Sequence, residues 1–259
     1  MSLRITVLGS GTSSGVPTIG CACSVCLSPD PRDKRLRPSI LISSGERNIV
    51  VDTTPDFRAQ VLRAGISRLD AIVYTHGHAD HILGLDDVRP FNYHQGTTIP
   101  IFAFPNALTT IRRVFEYVFR EQDPRATVPR IEVHELDGGD FELLGLRFQP
   151  IPIIHGRQTI HGFRFGNAAY LTDHSEVPES SQALLTGLDV LFLDALRHRP
   201  HPTHSTLSDS IALAQRLGAN RTYFTHMCHD VSHAETEAGL PPGIHLAWDG
   251  LEIEVAASV

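Results

Sequence analysis

The segment Ala71-Ile72-Val73-Tyr74-Thr75-His76-Gly77-His78-Ala79-Asp80-His81 carries the strongest chemical signal in this chain. Its first residues are apolar and partly β-branched, the pattern of a short buried strand. Four ligand-type side chains follow within six positions. Alternate residues of an extended segment point the same way, so His76 and His78 can converge on one ion. Gly77 and Ala79 leave room for the tight passage. A helix beginning near Ala79 would be opened by Asp80 and His81 and would turn them toward a second ion. Neutral imidazole with carboxylate suits zinc, manganese or iron, and a catalytic site keeps one position open for water. The plain alternative is a polar loop after a strand; four ligands in six positions argue against it.

Outward from that segment, short β-branched runs alternate with amphipathic stretches. Strands are expected at 3–8, 39–43, 48–52, 71–74, 99–103, 148–154, 168–172, 190–194, 221–225 and 244–248, and helices at 55–64, 106–119, 181–185 and 206–217. In 106–119, Ile111, Val114, Phe115, Val118 and Phe119 form one apolar face. The last helix is opened by a capping residue such as Ser205 and closed by Gly218. Segments 44–47 and 137–140 read as turns between adjacent strands, against the strict alternation of a doubly wound fold. Two mixed sheets packed together with helices outside fit better. No repeat or linker marks a boundary, so 1–259 is read as one domain.

The 259 residues include 22 Lys+Arg, 29 Asp+Glu and 15 His, a formal charge of −7 with histidine neutral. That balance makes nucleic acid a poor partner. No run of 18 apolar residues exists to span a membrane, and the first ten residues lack a signal peptide's apolar core. A cytoplasmic location is expected, where cysteines are thiols or metal ligands.

H-x-H-x-D-H after a strand resembles the signature of the metallo-β-lactamase superfamily. Further segments extend the resemblance over nearly the whole chain: Asp52 closing Ile49-Val50-Val51, His155 after 150–154, Asp173 after Tyr170-Leu171-Thr172, and His226 after Tyr223-Phe224-Thr225. The resemblance implies an α/β fold of the four-layer αβ/βα sandwich type with metals at one sheet edge. It implies that His76, His78 and His155 hold one divalent ion, that Asp80, His81 and His226 hold another, and that Asp173 bridges them. Asp52 would support a ligand histidine from behind and fix its ring. His161 competes with His155 for the third position, but beside Gly162-Phe163-Arg164 it is expected to approach substrate or solvent.

Cys21-Ala22-Cys23-Ser24-Val25-Cys26 gathers three of the four cysteines. Cys21 and Cys23 are too close for a relaxed disulfide, and three thiolates plus one more ligand make a closed structural Zn²⁺ site within a loop at about 20–38. By chemistry, either Cys228 or His229 can complete it. The superfamily's cyclic phosphodiesterase branch uses a histidine three residues after the last catalytic ligand, which here is His229; Cys228 is then a small packing residue.

Two ions bridged by Asp173 suit in-line displacement at phosphorus, with Asp80 and Asp173 acting from within the reacting centre. Diiron oxidoreductases of the superfamily generally replace one of these histidines by Glu, and none is replaced here. A leaving alkoxide needs an acid. The resemblance offers His204, with His198 and His201 flanking it. The loop Gly9-Ser10-Gly11-Thr12-Ser13-Ser14-Gly15-Val16-Pro17 before the cysteines resembles the PhnP-like, phosphoribosyl 1,2-cyclic phosphodiesterase branch, and it lacks the G-K-[ST] ending of a nucleotide triphosphatase. The expected function is hydrolysis of a small cyclic phosphate or nucleotide-like phosphodiester, with two Mn²⁺ or Zn²⁺ ions at the site. A small phosphate-containing substrate is the expected partner, and a homodimer is the commonest assembly. The competing readings are a tRNA 3′-processing-type nuclease, opposed by the charge and by the lack of a basic arm, and a non-hydrolytic protein resembling the pyrroloquinoline-quinone pathway member. His174 stands where relatives often have Thr. Asp86 and Arg89 read as a pair, with a phosphate contact as the alternative for Arg89.

Overall fold

The computed structural model describes residues 2–120 and 127–256; residues 1, 121–126 and 257–259 of the expected domain lie outside the described residues. Strands Ser2–Gly9 (β1), Ser39–Ser44 (β2), Arg47–Val51 (β3), Ala71–Val73 (β4), Ile99–Ala103 (β5) and Ile131–Glu135 (β6) belong to one sheet. Phe141–Leu143 (β7), Leu146–His155 (β8), Gln158–Phe165 (β9), Ala168–Leu171 (β10), Val190–Asp194 (β11), Arg221–Thr225 (β12) and Ile244–Leu246 (β13) form the other. Glu252–Ala256 (β14) returns to the first sheet, pairing antiparallel with β1. The helices are Ser24–Leu27 (α1), Phe57–Ala64 (α2), Ala79–Ile82 (α3), Arg89–Gln95 (α4), Pro105–Val114 (α5), Glu116–Phe119 (α6), Glu179–Ala183 (α7), Leu207–Leu217 (α8) and His233–Glu237 (α9).

Each sheet changes from antiparallel to parallel pairing part-way across. In the first, β1, β2 and β3 pair antiparallel while β3, β4, β5 and β6 run parallel. In the second, β7 to β10 are antiparallel and β10 to β13 parallel. Parallel strands share one C-terminal end, which is where open α/β sheets present ligand-binding residues. Asp52 follows β3, His76 and His78 follow β4, Asp173 follows β10, Asp194 ends β11 and His226 follows β12.

Period-two alternation explains the layers. Ile40 and Ile42 of β2, with Val190 and Phe192 of β11, face the core between the sheets. Leu41 instead meets Phe57 and Val61 of α2 and Leu108 and Ile111 of α5 on one outer side. Leu191 and Leu193 meet Leu207, Leu213 and Ala214 of α8 on the other. Both faces of the central strands are therefore apolar, and the order is helix, sheet, sheet, helix: the αβ/βα sandwich.

Several local expectations are corrected. Segment 137–140 is not a hairpin turn: it carries the chain from β6 at the edge of one sheet to β7 at the edge of the other. The expected helix 106–119 breaks at Phe115 (φ −106°, ψ 37°), which turns its ring into the core and leaves Val114 exposed. The cap of α8 is Thr206, not Ser205, its hydroxyl accepting from the Asp209 N–H at 3.1 Å. Strands β6, β7, β9 and β14 add to those expected. Among the described residues no helix is long and apolar enough to cross a membrane.

Candidate metal centre

Strand β4 ends under the core, and its continuation brings His76 and His78 together, with His76 Nε2 and His78 Nδ1 2.9 Å apart. The ligand atoms of His76, His78, His155 and Asp173 all lie within 4.8 Å of one another. Those of Asp80, His81, Asp173 and His226 form a second group on the same criterion, so Asp173 belongs to both. The helix α3 starts at Ala79 with His78 as its N-cap and turns Asp80 and His81 inward.

Three of these rings are aimed by groups behind them. Asp52 Oδ2 accepts from His81 Nδ1 at 2.7 Å and from the Thr75 hydroxyl at 2.7 Å, and both side chains of the His81–Asp52 pair are fully buried. With its hydroxyl donated to Asp52, Thr75 accepts from His76 Nδ1 at 3.0 Å. The Thr203 carbonyl accepts from His155 Nδ1 at 2.8 Å. In each case the other ring nitrogen keeps its lone pair for the centre, a tautomer set by the outer partner.

The donor set asks for cations. Asp52, Asp80, Asp173 and Asp194 are all buried, and among the described residues none of them pairs with Lys or Arg. Buried carboxylates without counter-charge are costly. Among the described residues, His81 Nε2 and His226 Nε2 are buried with no hydrogen-bond partner. Burial opposes charge on His226, but Asp173 outweighs it and lifts the imidazole to about 10; His81 is raised against burial by Asp173, Asp80 and Asp52. Converging imidazole and carboxylate atoms with this excess of negative charge fit two divalent ions.

Beside the second group, Asp194 Oδ2 accepts from His204 Nδ1 at 2.8 Å, and the His204 ring stacks on His226 with centroids 4.6 Å apart. Asp194 is the functional residue that sequence reasoning missed. Its signal was present, an aspartate at the end of an apolar strand, as with Asp52 and Asp173. His201 lies near His204 (5.1 Å between centroids) and is held by Thr203, while His198 is exposed. His174 is buried, and among the described residues both its ring nitrogens are without a hydrogen-bond partner. Arg89 pairs with Asp86 and donates to the Thr127 carbonyl at 3.1 Å, away from the centre's ligands.

A second cluster joins the loop near the amino terminus to the segment after β12. The sulfurs of Cys21, Cys23 and Cys26 lie 3.1, 3.5 and 3.6 Å from His229 Nδ1. His229, not Cys228, completes this group; Cys228 Sγ accepts from the Asp230 N–H instead. The Cys26 N–H donates to Cys23 Sγ and draws that thiol down to about 6, whereas burial pushes Cys26 up to about 11. An S₃N donor set of this kind suits zinc.

His161 joins neither group. It sits in β9 with its ring stacked on Phe104, centroids 3.4 Å apart, and burial lowers its pKa to about 4. Together these two rings wall a cavity of about 360 Å³ that is floored by His76 and His78.

Residues 47–227 match the family described as the beta-lactamase superfamily domain. A solved structure described as a new diphosphatase from the PhnP family is 52% identical with a TM-score of 0.94, covering 100% of this chain and 99% of that one. An octanoyltransferase of Porphyromonas gingivalis is 39% identical over 254 residues, 96% of this chain and 51% of the relative. Coenzyme PQQ synthesis protein B of Methylorubrum extorquens is 32% identical over 149 residues, 51% of this chain and 48% of the relative. The chain thus spans about half the length of these curated relatives. The family match, together with the full-length likeness at 52% identity, places this chain in the beta-lactamase superfamily and, within it, in the PhnP family.

Proposed function

We propose that this protein is a metal-dependent phosphoesterase that hydrolyses a small cyclic phosphate or nucleotide-like phosphodiester. The observation that carries this reading is the sharing of Asp173 between two ligand groups, with the His204–Asp194 pair stacked against one of them. His76, His78, His155 and Asp173 would hold one divalent ion and Asp80, His81, His226 and Asp173 the other. Such a pair of ions supplies Lewis acidity toward phosphoryl oxygens and a hydroxide nucleophile at neutral pH.

The chain's own residues do the rest. Asp52 and Thr75 fix His81 and His76, so the ligand set meets the substrate already organised. Asp194 accepts from His204 Nδ1 and so orients the ring. His204 Nε2 then gives a proton to the departing alkoxide, as a general acid must. Three thiolates and His229 would hold one Zn²⁺ that braces the segment behind His226.

The diphosphatase name of the 52% identical structure supports displacement at phosphorus. The octanoyltransferase name belongs to a protein of which this chain matches half. The test is to load the purified protein with Mn²⁺ or Zn²⁺ and assay an aryl phosphodiester, a ribose cyclic phosphate and a dinucleotide with a diphosphate bridge. Cleavage of the first two is expected. Cleavage of the diphosphate alone moves the substrate class to phosphoanhydrides, and no turnover on any of them with metal bound overturns the proposal.

A further inference from the structure

We propose that Arg35 is a positioning residue for both metal sites: its guanidinium holds the segment after β12 on the course that carries His226 to the catalytic centre and His229 to the three thiols. This role concerns the binding of metal and goes beyond the phosphoesterase reading, on which it does not depend.

Arg35 lies in the basic stretch 29–38 yet is only 1% exposed. A buried guanidinium is costly unless its charge and its N–H groups are met. Asp33, itself buried, meets the charge at 3.1 Å. Arg35 Nε donates to the Arg32 carbonyl at 3.3 Å, Nη1 to the Cys228 carbonyl at 3.1 Å and Nη2 to the Val231 carbonyl at 2.7 Å. The Val231 N–H also donates to the Cys228 carbonyl, at 3.3 Å, so residues 228–231 form a turn with His229 at its second position. Arg35 thus grips both ends of the turn that presents His229. Asp33 adds a third point, accepting from the His233 N–H at 2.8 Å. A lysine ammonium lacks the rigid planar fork that spans two carbonyls and a carboxylate.

The other end of the segment is held through the same residue. Arg35 and Val16 exchange backbone N–H to carbonyl hydrogen bonds at 2.7 and 2.8 Å. A Cβ on Gly11 would meet Arg35 Cβ at 2.8 Å, so residues 10–12 run directly against Arg35. From there the Ser10 carbonyl accepts from the Met227 N–H at 3.0 Å, and the Thr12 N–H donates to the Met227 carbonyl at 3.1 Å. Met227 directly follows His226. None of these bonds uses a ligand atom of either site. The course of 226–231 is therefore set by the protein, and an ion meets ligands already in place.

Arg35→Lys keeps the buried charge and removes the fork. In the folded variant, chelator competition should show zinc affinity at the cysteine site down about 10–100-fold. With Co²⁺ in that site, the thiolate charge-transfer and ligand-field bands should depart from those of wild type, a change that lowered stability alone does not produce. Manganese added alone to the metal-stripped protein should bind the catalytic centre about tenfold more weakly in Arg35→Lys than in wild type. Wild-type zinc affinity and cobalt spectrum in the variant, or unchanged manganese affinity, overturns the proposal. Hydrogen exchange on metal-stripped wild type decides the same question should Arg35→Lys fail to fold. The Val231 and His233 amides should stay protected without metal; their rapid exchange would show that the ion sets the turn, and overturns the proposal.

Discussion

Asp52, Asp173 and His226 adopt φ of 67°, 61° and 59°, the left-handed region that side chains other than glycine rarely enter. Each stands at the C-terminal end of a parallel strand and turns its side chain toward the same point. Such conformations cost on the order of 1–3 kcal/mol and persist where the surroundings over-determine them. Asp52 accepts from both His81 and Thr75, so removing its charge should loosen the ligand set without touching the ligands. For Asp52→Asn, a metal titration should show affinity falling about 10–100-fold, with the fold retained by circular dichroism. Asp194→Asn tests the acid. Turnover of a diester with an alkoxide leaving group should fall by about 10²-fold or more, while a nitrophenolate diester, which needs no proton, should be nearly unaffected. His76, His78, Asp80 and His81 were legible as candidate ligands from their spacing, because alternation in an extended segment is a local property, whereas His155, Asp173 and His226 rested on the family resemblance. Asp194 carries the same strand-end signal as Asp52 and Asp173, but its partner His204 lies ten residues away across a loop, and only the fold joins them.

At the scale of elements, the short helix α3 positions Asp80 and His81 and has little intrinsic stability of its own. What holds it is the seating of Gly84 against the α2 entry: a Cβ there would meet the Thr54 carbonyl oxygen at 2.1 Å and Phe57 Cβ at 2.6 Å, and the Gly84 N–H donates to Thr53 at 2.9 Å. Gly84→Ala must displace backbone, so urea unfolding should show a loss of about 1–3 kcal/mol, accompanied by weaker metal binding. Sequence patterning found the buried strands of both sheets, whose apolar runs are long enough to read. It failed at 137–140, where a turn-like composition hides a passage from one sheet to the other. Turn chemistry reports local backbone preference and carries no information on which sheet the next strand joins.

For the whole molecule, the cluster of Cys21, Cys23, Cys26 and His229 ties positions 21–26 to a segment about two hundred residues later. Binding there is folding free energy, because no such site exists in the unfolded chain. Cys23→Ser should therefore lose one equivalent of zinc by elemental analysis and melt at lower temperature. Asp80→Asn should lose catalytic metal and activity while keeping that zinc. If both variants retain full metal content, the two-cluster account is wrong. What the amino-acid sequence determined by itself was whatever depends on near neighbours: the buried strands, the H-x-H-x-D-H ligands and the cysteine triplet. The family resemblance pointed to His229 and to a shared Asp173, and the tertiary structure brings them into those groups. Only the tertiary structure joined Asp194 to His204 and stacked His161 on Phe104. Each of those facts is a distance between segments remote in sequence, set by sheet topology and the packing of four layers, and periodicity along the chain does not encode it.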